Sequence, residues 1–405
     1  MLVQIQIPPL KKAPQQLKNK FALFNLGFRP FFLGAGIFAV ISITLWMLVY
    51  NTNIHLQLTN ISPSQWHAHE MLYGYSMAVV AGFLLTAVKN WTGIQTTNGK
   101  PLMLLLALWA SARILFLFGT QFLLWVALAD LLFDLLLIIA ISIPIVKSRQ
   151  WKQIGVVSKV VLLTVGNLYF YLACFGIVTT GMQYAIYGAV LLFVGLILMI
   201  SRRVLPFFIE RGTDKVVQLT QYKWLDISIM VLFMALFINV ILIHNAIITA
   251  LFSWAIFILN GYRLFNWHIY GLWRVPLLWS LYTSAWLINI GFLFYGIQTM
   301  IPHLAILTIH IFTIGGIGLI TLGMMSRVAL GHTGREIRKP SAWLSIIFAG
   351  IIISVIFRSF VPMLTSQHYI NWVMVSSILW ILSFSIFTLI YAPILVKPRV
   401  DGAWG

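Results

Sequence analysis

A chain of 405 residues that is 61% hydrophobic and only 8% charged is not a soluble domain, since soluble chains carry roughly a quarter charged residues. Its mean hydropathy of +0.96 places it among polytopic membrane proteins. The net charge of +18 lies in short clusters between apolar runs, the spacing of topology determinants; the expected partner is therefore membrane lipid and not nucleic acid.

In chain order, residues 1–30 form a basic arm (KKAPQQLKNK) with neither the short apolar core nor the small-residue cleavage site of a signal peptide. Phe28, Phe31 and Phe32, around Arg29 and Pro30, read as an interfacial anchor. A single all-α transmembrane domain is expected over residues 31–396, followed by a cytoplasmic tail at 397–405. A spanning helix needs about 20 apolar residues. Twelve such runs are centred near Val40, Val79, Leu106, Leu135, Leu168, Leu191, Phe233, Phe257, Trp286, Gly315, Ile351 and Phe384. Lys and Arg fill every second connection, from Lys89 and Lys100 through Arg202, Arg203, Arg211 and Lys215 to Arg335, Arg338 and Lys339. On the other side Arg358 stands alone. The positive-inside rule then puts both termini in the cytoplasm, which requires an even number of spans. The single cysteine, Cys174, rules out an internal disulfide and any Cys-based metal motif.

The nine histidines are unevenly spread. His55, His67, His69, His244, His303 and His368 fall on or near the outer side, His310 lies about two turns deeper, and only His268 and His332 are cytoplasmic. His67, His69 and Glu70 stand just before a long apolar run, where such groups are costly unless paired or metal-bound. If both are helical, His67 and His69 point about 200° apart and cannot share an ion; an unwound first turn after Pro63 and Ser64 would relax that angle. His303 and His310 share a helix face about 10 Å apart, too far for one ion. An interfacial role suits His303, whereas His310, inside the membrane, is read as a ligand.

A second polar set consists of Arg113 in the third span with Asp130 and Asp134 one turn apart in the fourth. An Arg113–Asp130 ion pair is the economical arrangement, and a proton path continuing through Asp134 is the alternative. The glycines of the tenth span (Gly315, Gly316, Gly318, Gly323) suit either close helix packing or the wall of a flat macrocycle.

Several segments together resemble the NnrS family of haem- and copper-containing membrane proteins associated with bacterial nitric oxide stress. They are FNLGFRPFF (24–32), WHAHEMLYGYSMAVVAGFLLTAVKNWTG (66–93), the AR pair at 112–113, RRVLPFF (202–208) and HIFTIGGIGLITLGMMSRVALGHTGR (310–335). The resemblance implies a twelve-span protein of the bacterial inner membrane carrying haem, expected as b-type, and copper. Carried over by position, the family's recurrent histidines fall on His67, His69, His310 and His332. A histidine expected early in the ninth span is replaced here by Leu281 and Tyr282, which puts part of a metal centre in doubt.

The leading functional expectation is a redox site on the outer half of the membrane. His69 and His310 would ligate haem iron and His67 copper, with Glu70 orienting a ligand or carrying protons. Nitric oxide would be bound there and converted, most simply by reduction. A membrane quinol is the candidate electron donor, although no quinone motif is recognisable. The alternative is a carrier or handling protein for haem, copper or nitrosylated iron without turnover, but the chain shows no clear repeat between its halves.

Overall fold

The computed structural model describes residues 21–52, 56–213 and 217–405; the basic arm as far as residue 20, His55 and Lys215 lie outside them. Among the described residues all regular structure is helical, and twelve helices are long and apolar enough to cross a membrane. They are α1 (Phe28–Asn51), α2 (Pro63–Thr92), α3 (Gly99–Leu117), α4 (Thr120–Lys147), α5 (Trp151–Cys174) and α6 (Gly181–Gly212), then α7 (Lys223–Ile243), α8 (Ala246–Asn266), α9 (Pro276–Ile297), α10 (Pro302–His332), α11 (Trp343–Leu364) and α12 (Tyr369–Val396). Each contains one of the twelve centres expected from the sequence. The backbone N–H of Ala22 donates to the carbonyl of Val396 at 2.8 Å, so the two ends of the bundle meet on one side, as an even number of crossings requires.

Four helices form the centre. In α2, α6, α9 and α10 between 61% and 78% of the most apolar stretch is buried, against 22–39% in the other eight, which face lipid. α4 shows how the two faces are assigned. Leu124, Leu128, Leu132, Leu135, Ile139 and Ile143 repeat every three or four residues and are exposed on the outer face. Val126, Asp130, Phe133, Asp134, Leu137 and Ile141 repeat on the opposite face and are buried. Both faces are largely apolar, so the two aspartates, rather than hydrophobicity, mark the inward one.

The FRPFF segment departs from expectation. Phe28, Arg29, Phe31 and Phe32 are fully buried instead of lying at an interface. The reason is the guanidinium of Arg29, which donates to the carbonyls of Leu395 and Lys397 at 2.8 Å and of Gly405 at 2.7 Å. Those carbonyls lie at and beyond the end of α12, where helical partners run out. With its charge met there, the aromatic residues are free to pack inward, Phe31 against Phe133 of α4.

The α10 glycines serve helix packing. A Cβ at Gly316 would lie 2.6 Å from Ile288 of α9, and one at Gly318 would lie 2.6 Å from Trp380 of α12. Neither residue lines the large cavity described next. Small side chains let these backbones approach closely, which is how helices associate where lipid supplies no hydrophobic drive.

Candidate functional site

The first turn of α2 is set by a reciprocal cap. The Ser62 hydroxyl accepts from the Gln65 N–H at 3.2 Å, the Ser62 N–H donates to Gln65 Oε1 at 2.8 Å, and Pro63 occupies the first helical position. His67 and His69 therefore sit on regular helix and point to opposite sides, as the ordinary helical angle requires.

His67 faces a cavity of about 560 Å³ that His310 of α10 enters as well. Ser64, Gln65 and Tyr369, near the starts of α2 and α12, also line it, so it occupies the half of the bundle opposite the basic connections. The His67 ring stacks on Trp46, with centroids 4.5 Å apart and planes at 15°, and its Nδ1 is buried without a partner. His310 Nδ1 lies 2.6 Å from the carbonyl of Ile306. A carbonyl only accepts, so Nδ1 carries the hydrogen and Nε2 keeps its lone pair. Among the described residues Arg358 is the only Lys, Arg, Asp or Glu lining the cavity, and its Nη1 donates to the Tyr369 hydroxyl at 2.8 Å.

Three π-helical stretches border this cavity: Glu70–Ser76 after His69, Ile311–Gly318 after His310, and Ile356–Phe360, which contains Arg358. Such turns are rare, re-aim side chains relative to an α-helix, and concentrate at functional sites.

His69 belongs to a different site. It is fully buried, with Nδ1 3.0 Å from Glu70 Oε1 and Nε2 3.0 Å from Asn167 Oδ1 of α5. Both ring nitrogens face acceptors, so neither is left for a metal ion. Arg113 joins this cluster, with Nη1 3.0 Å from Glu70 Oε1 and Nη2 2.6 Å from Asp130 Oδ2. The Asn167 amide donates to Asp130 Oδ2 at 3.3 Å and Asp134 Oδ2 at 3.0 Å, and the Tyr171 hydroxyl donates to Asp130 Oδ2 at 2.8 Å. The expected Arg113–Asp130 pair is thus made, and Glu70 orients His69 instead of a cavity ligand. The expected His69–His310 pairing on one iron is not brought together, because the turn that sends His67 into the cavity turns His69 away from it.

His332 is the last residue of α10, 22 positions beyond His310, or about 33 Å along the helix. It lies on the basic side, its ring 5.7 Å from that of Phe28, and cannot share a centre with His310. Its carbonyl accepts from Arg399 Nη1 at 3.0 Å. The same guanidinium hydrogen-bonds Asp401, outside the spans, and holds that carboxyl down to about 2. Leu281 packs at Gly323, and Tyr282 donates to the carbonyl of Leu264 at 3.0 Å, so the position of the missing histidine is also remote from the cavity. His303 is exposed, in keeping with an interfacial place.

Sequence reasoning missed Arg358, Asn167 and Tyr171 as site residues. Arg358 carried a usable signal, being the one basic residue on a side otherwise free of them. Asn167 and Tyr171 are spaced four apart and share a helix face, but nothing in the sequence says which neighbour they meet.

Fold and cavity together define a multi-pass membrane protein in which two imidazoles, His67 and His310, line one half-open cavity. The chain belongs to the NnrS protein family, whose sequence model matches residues 22–399, nearly its whole length. That membership suggests a role in the response to nitric oxide stress. No curated protein matches the chain.

The chamber suits the haem that the resemblance implies. Its volume is within the range of about 300–1,000 Å³ usual for ligand sites, and it offers imidazole, aromatic walls and one cation. Among the described residues no group of three or more His, Cys, Asp or Glu side chains is arranged to hold a metal ion.

Proposed function

We propose that this protein is a b-type haem protein of the bacterial inner membrane that meets nitric oxide in the cavity between α2 and α10, with both termini cytoplasmic. The observation that carries the reading is the pair His67 and His310, which face one chamber and each keep a ring nitrogen free of protein partners. His310 would serve as an iron ligand through Nε2, oriented by its bond to the Ile306 carbonyl. His67 would face it from α2, its ring held flat by Trp46. Arg358 would meet a propionate, since among the described residues it is the one Lys, Arg, Asp or Glu lining the cavity, and it already leans on Tyr369. Non-covalent binding is implied because the single cysteine, Cys174, forms no attachment motif. Haem iron held there supplies a binding site for nitric oxide and one-electron chemistry for its reduction, with a membrane quinol as the candidate electron source.

The role given to Arg358 is directly testable. A hydrogen bond between charged groups contributes about 1.5–3 kcal/mol, so Arg358→Gln is expected to weaken haem retention roughly 10- to 100-fold. Haem titration of the detergent-purified variant measures this, and retention equal to wild type would show that no anionic group sits at Arg358.

A further inference from the structure

Asp134 stands apart from the other carboxylates of the buried cluster. Arg113 reaches Glu70 at 3.0 Å and Asp130 at 2.6 Å, and Tyr171 adds a donor to Asp130. Asp134, 1% exposed, receives one contact, from the Asn167 amide at 3.0 Å; its Oδ1 has no partner, as is also true of Glu70 Oε2 and Asp130 Oδ1. Among the described residues no cation pairs with it.

Several charged or titratable groups surround it. Asp130 lies one turn away on the same face of α4; Asn167 approaches from α5 and Tyr73 from α2, while Tyr171 of α5 and Arg113 of α3 meet Asp130 beyond. Even with His69 counted as a cation, the two positive groups balance Glu70 and Asp130 and leave one carboxylate over. A buried carboxylate with no cation, beside a like charge, is the least tolerable group a membrane interior can hold.

We propose that Asp134 is a proton-binding site inside the membrane, its carboxyl carrying one hydrogen and making the cluster neutral. The proton comes from water: carboxylate and hydronium give carboxylic acid and water, with no change of oxidation state. Placing the hydrogen on Oδ1 leaves Oδ2 to accept from Asn167, so the observed contact is kept. The charge balance is the same whatever occupies the cavity, and the site is independent of the haem reading.

Infrared spectroscopy of the purified protein at neutral pH is the test. The expected result is a protonated-carboxyl carbonyl band that shifts on ¹³C-aspartate labelling of the wild type and is lost in Asp134→Asn. That variant exchanges one neutral group for another, so its melting temperature should stay close to wild type. Should it fail to fold, Asp134→Glu keeps the acid, and the band should then follow ¹³C-glutamate labelling. Absence of any such band in the wild type overturns the proposal, as does a band that survives Asp134→Asn. Absence of the band together with a melting temperature that depends on sodium or potassium would identify a metal cation as the occupant instead.

Discussion

His310→Ala is expected to strip haem from the purified protein. His310 is fixed by its Nδ1 bond to Ile306 and presents its only free nitrogen to the cavity. Losing an outer-shell partner already costs a metal site roughly 10–100-fold, and removing a ligand outright should exceed that. His69 and His332 provide the controls. His69 spends both ring nitrogens on Glu70 and Asn167, and His332 lies at the far end of α10. Haem per folded molecule should therefore survive His332→Ala and His69→Gln, whereas a ligand set carried over by resemblance alone makes all three histidines equivalent. Haem content by pyridine haemochrome assay separates the cases, and unchanged haem in His310→Ala would remove it as a ligand.

The second large effect concerns stability. Arg113→Met leaves Glu70 and Asp130, each 1% exposed or less, without the guanidinium between them. Breaking a buried ion pair from one side costs about 3–5 kcal/mol, and here two carboxylates are stranded at once. The expected outcome is loss of folded protein from the membrane fraction, or a steep fall in melting temperature in detergent. A variant as stable as wild type would mean that water reaches the cluster. Tyr171→Phe, which removes a single donor to Asp130, should cost only about 1–3 kcal/mol and serves as the graded comparison.

Much of this architecture was legible because a bilayer enforces it. Twelve apolar runs became twelve helices, since a chain in lipid must satisfy its own backbone. The Arg113–Asp130 pair could be read for a related reason: the cost of an unpaired buried charge leaves few arrangements. The divergence of His67 and His69 followed from helix angle once the helix start was known. Which neighbour each would meet did not follow, because helix packing brings together residues far apart in the chain, as with His69 and Asn167, 98 positions apart. The FRPFF segment misled for the opposite reason. Aromatic residues around Arg and Pro have the composition of an interface, but the carbonyls that bury Arg29 lie more than 360 residues later. The π-helical turns beside His310 and Arg358 left no trace at all, since one extra residue in a turn changes no apolar period visible over so short a stretch.

The central claim, that the α2–α10 cavity holds a haem which meets nitric oxide, is tested most directly by an optical spectrum of the haem-supplied, purified protein. It should be recorded oxidised and reduced, before and after nitric oxide is added. The account predicts a haem band that shifts on addition, with return of the original band as the gas is consumed if electrons are supplied. A protein from haem-replete cells that shows no haem band would contradict it, and would leave the cavity to another ligand.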